Sequence, residues 1–205
     1  EEEAQFDAAL NMTLKTIEFA KERDAIPFAV FKPTGFGRLA LYEKVGAKAY
    51  LTENEQKEWN RVIERFDIAC KTAFEKDVLL LIDAEESWMQ DAADAIVTDM
   101  MRKYNKQKAI VFNTLQMYRW DRLDYLKNLH DQAKAEGFFI GMKLVRGAYM
   151  EKENERAEAR GLKSPICVSK EATDINYDAA ILYMVENIDR MAVFAGTHNE
   201  ESSYK

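Results

Sequence analysis

Short apolar runs alternate with longer stretches of helical period along this chain. Residues 3–23 carry Phe6, Leu10, Leu14 and Ile17 on one stripe, which predicts a helix. An apolar run at 27–31 predicts a strand, broken by Pro33-Thr34-Gly35-Phe36-Gly37. A short helical piece covers about 38–50. Thr52 and Glu55 form a capping box that starts a long helix with Trp59, Val62, Ile63, Phe66, Ala69, Cys70 and Ala73 facing in. Residues 78–82 predict a strand that is continuously apolar, as expected where both sheet faces are covered. Ser87 and Gln90 cap the next helix, which buries Met89, Ala93, Ile96, Val97 and Met100. A strand at 109–112 follows, then a helix with Leu123, Leu126, Leu129 and Ala133 that stops at Gly137. A strand at 138–145 precedes a charged helical segment at 150–163, whose stretch 151–160 reads as a solvated face. Thr173 or Asp174 caps a helix reaching about Ile188, and a strand at 191–195 closes the pattern.

Five strands each feeding a helix imply a parallel sheet. The two candidates are a (β/α)8 barrel and an open doubly wound sheet. No G-x-G-x-x-G follows any strand, which counts against the dinucleotide fold. Polar residues follow every strand instead: Lys32; Asp83, Glu85 and Glu86; Asn113 and Gln116; Lys143 and Arg146; Thr197-His198-Asn199. Polar groups at the C-terminal ends of several strands are the layout of barrel enzymes. Five units are too few to close eight strands. The expectation is therefore an incomplete (β/α)8 barrel, cut at both ends, with residues 1–205 a single partial catalytic domain.

Composition narrows the partners. The 205 residues carry 29 basic and 36 acidic side chains, a net charge of −7 that argues against nucleic acid. No apolar run approaches the ~18 residues of a membrane span. No secretory signal opens the chain, and Cys70 and Cys167 have neither disulfide-framework nor zinc spacing, so a reducing cytoplasmic compartment and no metal site are expected. His130 reads as a surface residue near a helix C-terminus. Met12, Met89, Met100 and Met184 read as core filler.

The densest chemistry lies at Lys143-Leu144-Val145-Arg146-Gly147-Ala148-Tyr149. Cations at the mouth of an apolar strand are costly to place unless something anionic or electron-rich binds there. Strand alternation puts Lys143 and Val145 on one face, Leu144 and Arg146 on the other. An inward Lys143 could be a Schiff-base nucleophile or a hydrogen-bond donor to an electron-poor cofactor ring; outward, it would snorkel. Taken singly, the Asp83–Glu86 acids could serve only a helix N-terminus, Thr197–Asn199 only a cap, and Lys170 only solvation.

That segment resembles the proline dehydrogenase signature of a basic residue, Leu-Val, a basic residue and Gly-Ala-Tyr. Four further segments are similar to the family's, in its order: Phe31-Lys32-Pro33-Thr34-Gly35, Ile82-Asp83-Ala84-Glu85-Glu86, Val111-Phe112-Asn113-Thr114-Leu115-Gln116-Met117-Tyr118, and Ala195-Gly196-Thr197-His198-Asn199-Glu200. The resemblance implies an oxidoreductase on a distorted (β/α)8 barrel that holds FAD. Such an enzyme oxidises L-proline to Δ1-pyrroline-5-carboxylate by hydride transfer to flavin N5 and passes electrons to a quinone. It implies Lys143 against the flavin ring, and Arg146 and Gly147 beside the cofactor. Tyr149 would wall the proline site, with Asp83 and Lys32 at the substrate end. Asn113 would be a flavin-binding amide, Thr197 and His198 would face the ribityl and phosphate portion, and Ser169, Lys170 and Thr173 the nucleotide half. Met150 departs from the tryptophan of some members. The family's paired carboxylate-binding arginines lie beyond this stretch, so little turnover is expected of the 205 residues alone. Quinone reduction would suit peripheral contact with an inner membrane, and exposed sheet edges would favour homo-oligomers. A hydroxyproline-preferring relative, a Schiff-base lyase or aldolase using Lys143, and a non-catalytic segment are the competing readings.

Overall fold

The computed structural model describes residues 3–204. Thirteen elements follow the expected alternation: α1 (Glu3–Lys21), β1 (Phe28–Phe31), α2 (Leu39–Gly46), α3 (Glu53–Lys76), β2 (Leu79–Ile82), α4 (Ser87–Tyr104), β3 (Val111–Gln116), α5 (Arg122–Glu136), β4 (Ile140–Val145), α6 (Met150–Arg160), α7 (Lys170–Glu186), β5 (Met191–Ala195) and α8 (Glu200–Ser203). The strands form one parallel sheet in the order β1-β2-β3-β4-β5. A parallel sheet of sequential strands alternating with helices matches the expected incomplete barrel.

The pleat sorts side chains onto two faces. One face carries Ala29, Phe31, Leu80, Ile82, Val111, Leu115, Ile140, Met142, Leu144 and Met191, packed with residues of α1 to α5 and α7 into a single core. On the other face, among the described residues, Leu81 and Phe112 cluster with Phe28, Leu79, Phe139 and Ala192, none of them from a helix. Phe28 meets both Phe112 and Phe194 edge-on, at 5.1 and 5.2 Å between centroids. Gly141 permits this packing. A Cβ there would lie 2.7 Å from both the Phe112 ring and the Val111 carbonyl.

Local chemistry explains most boundaries. Thr52 accepts the Glu55 N–H while the Glu55 carboxylate accepts the Thr52 N–H, completing the expected capping box. Asp77, Gly137 and Gly161 end α3, α5 and α6 in the left-handed conformation. The cap of α4 differs from expectation. Ser87 is the first helical residue, and its N–H and hydroxyl both donate to the distant Glu153 carboxylate on α6. Glu153 is thus buried rather than solvated, and Ala157 with it. The cap of α7 is Ser169, not Thr173 or Asp174: its hydroxyl accepts the Ala172 N–H. Ile63 and Met12 are exposed: Ile63 lies at the edge of the apolar stripe of α3, and Met12 lies well outside that of α1. The third strand runs to Gln116 because polar side chains on both its faces find buried partners. No helix among the described residues is long and apolar enough to cross a membrane.

His130 is buried, not at the surface, with Nδ1 2.8 Å from the Tyr183 hydroxyl of α7. The apolar stripe of α5 is wide enough to carry it into the core. Burial, aided by nearby Lys134, holds its pKa below the ordinary value. The unfolded chain then binds a proton more readily than the folded one, so stability falls as pH drops through about 6.5. Glu3 and Asp121 are held down to about 2, so their stabilisation is retained across that window. The melting midpoint should fall between pH 7.5 and 5, and His130→Phe should remove that fall. An unchanged slope in the variant would exclude His130 as its source.

Candidate active site

One row of the face opposite the helices gathers the charged groups. Parallel register aligns Val30, Leu81, Phe112, Gly141 and Ala192 across the sheet. Two residues further along each strand stand Lys32, Asp83, Thr114, Lys143 and Phe194, with Thr114 opposite Lys143 and Lys143 opposite Phe194. Lys143 Nζ is 3.1 Å from Asp83 Oδ1, and Lys32 Nζ is 3.8 Å from Asp83 Oδ2. One carboxylate therefore stands between two ammonium groups. Burial alone would lower the pKa of Lys32; the facing Tyr149 hydroxyl, Asp83 and Glu85 outweigh it and raise the value. Burial, with Glu85 and Glu86 adding to it, raises the pKa of Tyr149 against the pull of Lys32.

The backbone around Asp83 is gripped on all sides. Its N–H donates to the Phe31 carbonyl, continuing the β1–β2 ladder past the strand ends. The Thr114 hydroxyl donates to the Ile82 carbonyl at 2.8 Å, where a side chain replaces a ladder bond. Glu85 accepts the Thr34 N–H and hydroxyl, fixing the turn after Lys32. Gln116 Nε2 donates to the Glu85 carbonyl and to the Tyr118 hydroxyl.

A groove of about 840 Å3 lies beside this row. It is lined by Val145, Arg146, Gly147, Lys170, Asp174, Ala195, Gly196, Thr197, His198 and Asn199. The Arg146 guanidinium donates to Asp174 and to the Thr197 and Ser202 hydroxyls, and stacks 3.8 Å over the Tyr177 ring. Lys170 and Arg146 together hold the Asp174 carboxyl below its ordinary pKa. A Cβ on Gly196 would lie 2.9 Å from the Leu144 carbonyl, so glycine lets β5 close onto β4 beside Lys143.

Most expected site residues converge. Lys32, Asp83, Lys143 and Tyr149 share one cluster. Arg146, Gly147, Lys170, Thr197 and His198 line the adjoining groove. The other three take different places. Ser169 caps α7, and the buried Thr173 turns its hydroxyl back to the Ser169 carbonyl. Asn113 lies on the opposite face, opposite Met142 in the register, where its Nδ2 donates to Asp94 and its Oδ1 accepts the Thr114 N–H. Asn113 is therefore a buried structural amide, directed to the helices by the pleat. The amide on the charged face is Gln116, two residues beyond Thr114 and opposite Val145. Counting in twos along the strand from Lys143's partner would have found it. Glu85, which braces the Lys32 turn, reads in the sequence as one more helix-start acid. Asn199 does cap a short helix, so the simple capping role and the groove position coexist.

The family model for proline dehydrogenase matches residues 1–205. The chain belongs to the proline dehydrogenase family. It is 38% identical over 201 residues to the carbapenem antibiotics biosynthesis protein CarD of Pectobacterium carotovorum subsp. carotovorum, covering 98% of this chain and 52% of that one. It is 36% identical over 154 residues to the mitochondrial proline dehydrogenase 1 of Homo sapiens, covering 74% of this chain and 26% of that one. A hydroxyproline dehydrogenase of Xenopus laevis is 32% identical over 163 residues, with 78% of this chain and 35% of that one covered. The chain thus spans about half the length of the first of these relatives and about a quarter to a third of the others. The fold matches proline utilization A from Bdellovibrio bacteriovorus inactivated by N-propargylglycine, with a TM-score of 0.84 at 19% identity, over 98% of this chain and 22% of that one.

Glu153 ties α6 to Ser87 at the start of α4, two residues after Glu85. Glu153→Ala should cost about 0.5–2 kcal/mol, the range for losing a helix cap. Denaturant unfolding checks this; a loss within error would mean water replaces the carboxylate.

Proposed function

We propose that the protein oxidises L-proline to Δ1-pyrroline-5-carboxylate with FAD and passes the electrons to a quinone. The observation that carries this reading is the Lys32–Asp83–Lys143 row standing next to a cation-bearing groove, in a chain of the proline dehydrogenase family. The residues present fit a flavin. Gln116 is buried, yet its Oε1 has no hydrogen-bond partner, which leaves an acceptor for a ring N–H. Lys143 offers donors on the same face, as a point charge rather than the fork of an arginine. Arg146 and Lys170 supply positive charge for a pyrophosphate, and His198 and Thr197 ring-nitrogen and hydroxyl hydrogen-bonding groups.

Bound FAD would supply the hydride acceptor, taking both electrons from the ring carbon next to nitrogen as the C=N bond forms and the amine proton leaves. The chain's own residues set the conditions. Two ammonium groups against one carboxylate disfavour a third cation nearby, so the row favours a neutral substrate amine. Phe194 lies beside Lys143 on the same face and adds an apolar wall that excludes water. Tyr149, close to Lys32, closes the substrate end. The Met150 sulfur occupies the space a Gly147 Cβ would need, so the glycine accommodates methionine at this corner.

The full-length protein should show a flavin spectrum that bleaches on anaerobic addition of L-proline. Lys143→Met should slow that bleaching by at least tenfold while flavin remains bound. Bleaching by hydroxyproline but not proline would reassign the substrate. A flavin indifferent to both, or no flavin, would overturn the reading.

A further inference from the structure

Behind the charged row, on the helix side of the sheet, lies a carboxylate that the proposed chemistry never touches. Asp94 of α4 is 4% exposed and accepts hydrogen bonds from three side chains. Gln90 Nε2 and Asn113 Nδ2 donate to Oδ1 at 2.8 and 2.9 Å, and Arg122 of α5 donates to Oδ2 at 2.8 Å. Each amide held this way spends its oxygen on backbone next to the row. Gln90 Oε1 accepts the Glu85 N–H at 2.9 Å, and Asn113 Oδ1 accepts the Thr114 N–H at 2.8 Å. Thr114 in turn holds the Ile82 carbonyl, the atom immediately before Asp83. The β2–β3 register pairs end at Leu81 and Phe112, just where this substitution begins. The segment bearing Asp83 thus relies on side chains where a sheet would ordinarily use backbone.

We infer that Asp94 is a positioning residue, which through Gln90 and Asn113 sets the spacing of Asp83 from Lys143. Three observations favour this over simple core filling. An apolar residue would suit the helix–sheet interface at lower desolvation cost. A lone structural pair with Arg122 would need no amides, and Arg122 already has Asp121. Both amide oxygens accept backbone N–H groups around Asp83, one at Glu85 two residues after it and one at Thr114 on the neighbouring strand. The inference rests on the reading of that row as the site of proline oxidation.

The test compares full-length wild type with Asp94→Asn, using Gln90→Met as the second variant should the first fail to fold. His130→Phe serves as a control that loosens the helix layer away from the row. Two readouts are needed. The first is the rate at which an amine-reactive acylating reagent modifies Lys32 and Lys143, followed by mass spectrometry. The second is kcat/KM for L-proline. Asp94→Asn should raise the acylation rate at Lys143 at least threefold and lower kcat/KM at least fivefold, with neither changed in His130→Phe. Unchanged acylation in Asp94→Asn or Gln90→Met would overturn the inference, as would an equal rise in the control. A wild type inert to proline would overturn the functional reading alone, since the acylation rates still decide the role of Asp94.

Discussion

Everything in this structure follows from covering only one face of a parallel sheet. The helices α1 to α5 and α7 share one core against the same side. Burying a large apolar side chain there contributes about 1.5–3 kcal/mol, which commits every second strand residue to the helices. The remaining residues are left for the other face. Near the start of the strands they are apolar, with Phe28, Leu81 and Phe112 packed together. Toward the strand ends they become Lys32, Asp83, Thr114, Gln116 and Lys143. The site is the polar remainder of a sorting that the core imposes.

This sorting demands compensation where polar residues fall on the wrong side. Asn113 and Asp94 are both on the helix side, among apolar neighbours, and an unpaired amide or carboxylate there would be costly. They solve it together, with Arg122 and Gln90 closing the network. Arg65 shows the same logic at the other end of the layer. Buried within α3, it donates to Glu3, Asp7 and the Phe36 carbonyl, and so joins α1 to the turn after β1. The polar contacts of α6 differ in kind. Lys152 pairs with Glu86, Arg156 with Glu43, and Arg156 stacks on Trp88, so long charged arms attach α6 beside the buried Glu153 and Ala157.

Periodicity made the element order and most of the core legible, because the apolar stripes of α3, α4 and α5 are strong. Boundaries were less so. Ser87 and Thr173 look like caps in the sequence, but the cap of α4 comes from Glu153, 66 residues away, and no local pattern reveals that. The extent of β3 was hidden for a related reason: its polar end reads as loop until its partners are known. Motif resemblance picked out Lys32, Asp83 and Lys143, which the structure brings together from β1, β2 and β4. It named Asn113, an amide on the helix side, because a motif specifies residue types in order but not which face each takes. Asn113 and Gln116 are three residues apart and therefore on opposite sides of the sheet.

That assignment by face is the claim most open to direct measurement. The visible spectrum of bound flavin should be compared between Gln116→Leu and Asn113→Leu in the full-length protein, each alongside its melting midpoint. The account predicts the larger shift of the flavin bands, or the larger loss of flavin, for Gln116→Leu, and the larger drop in melting midpoint for Asn113→Leu. The reverse pattern, with Asn113→Leu moving the flavin bands more, would contradict it.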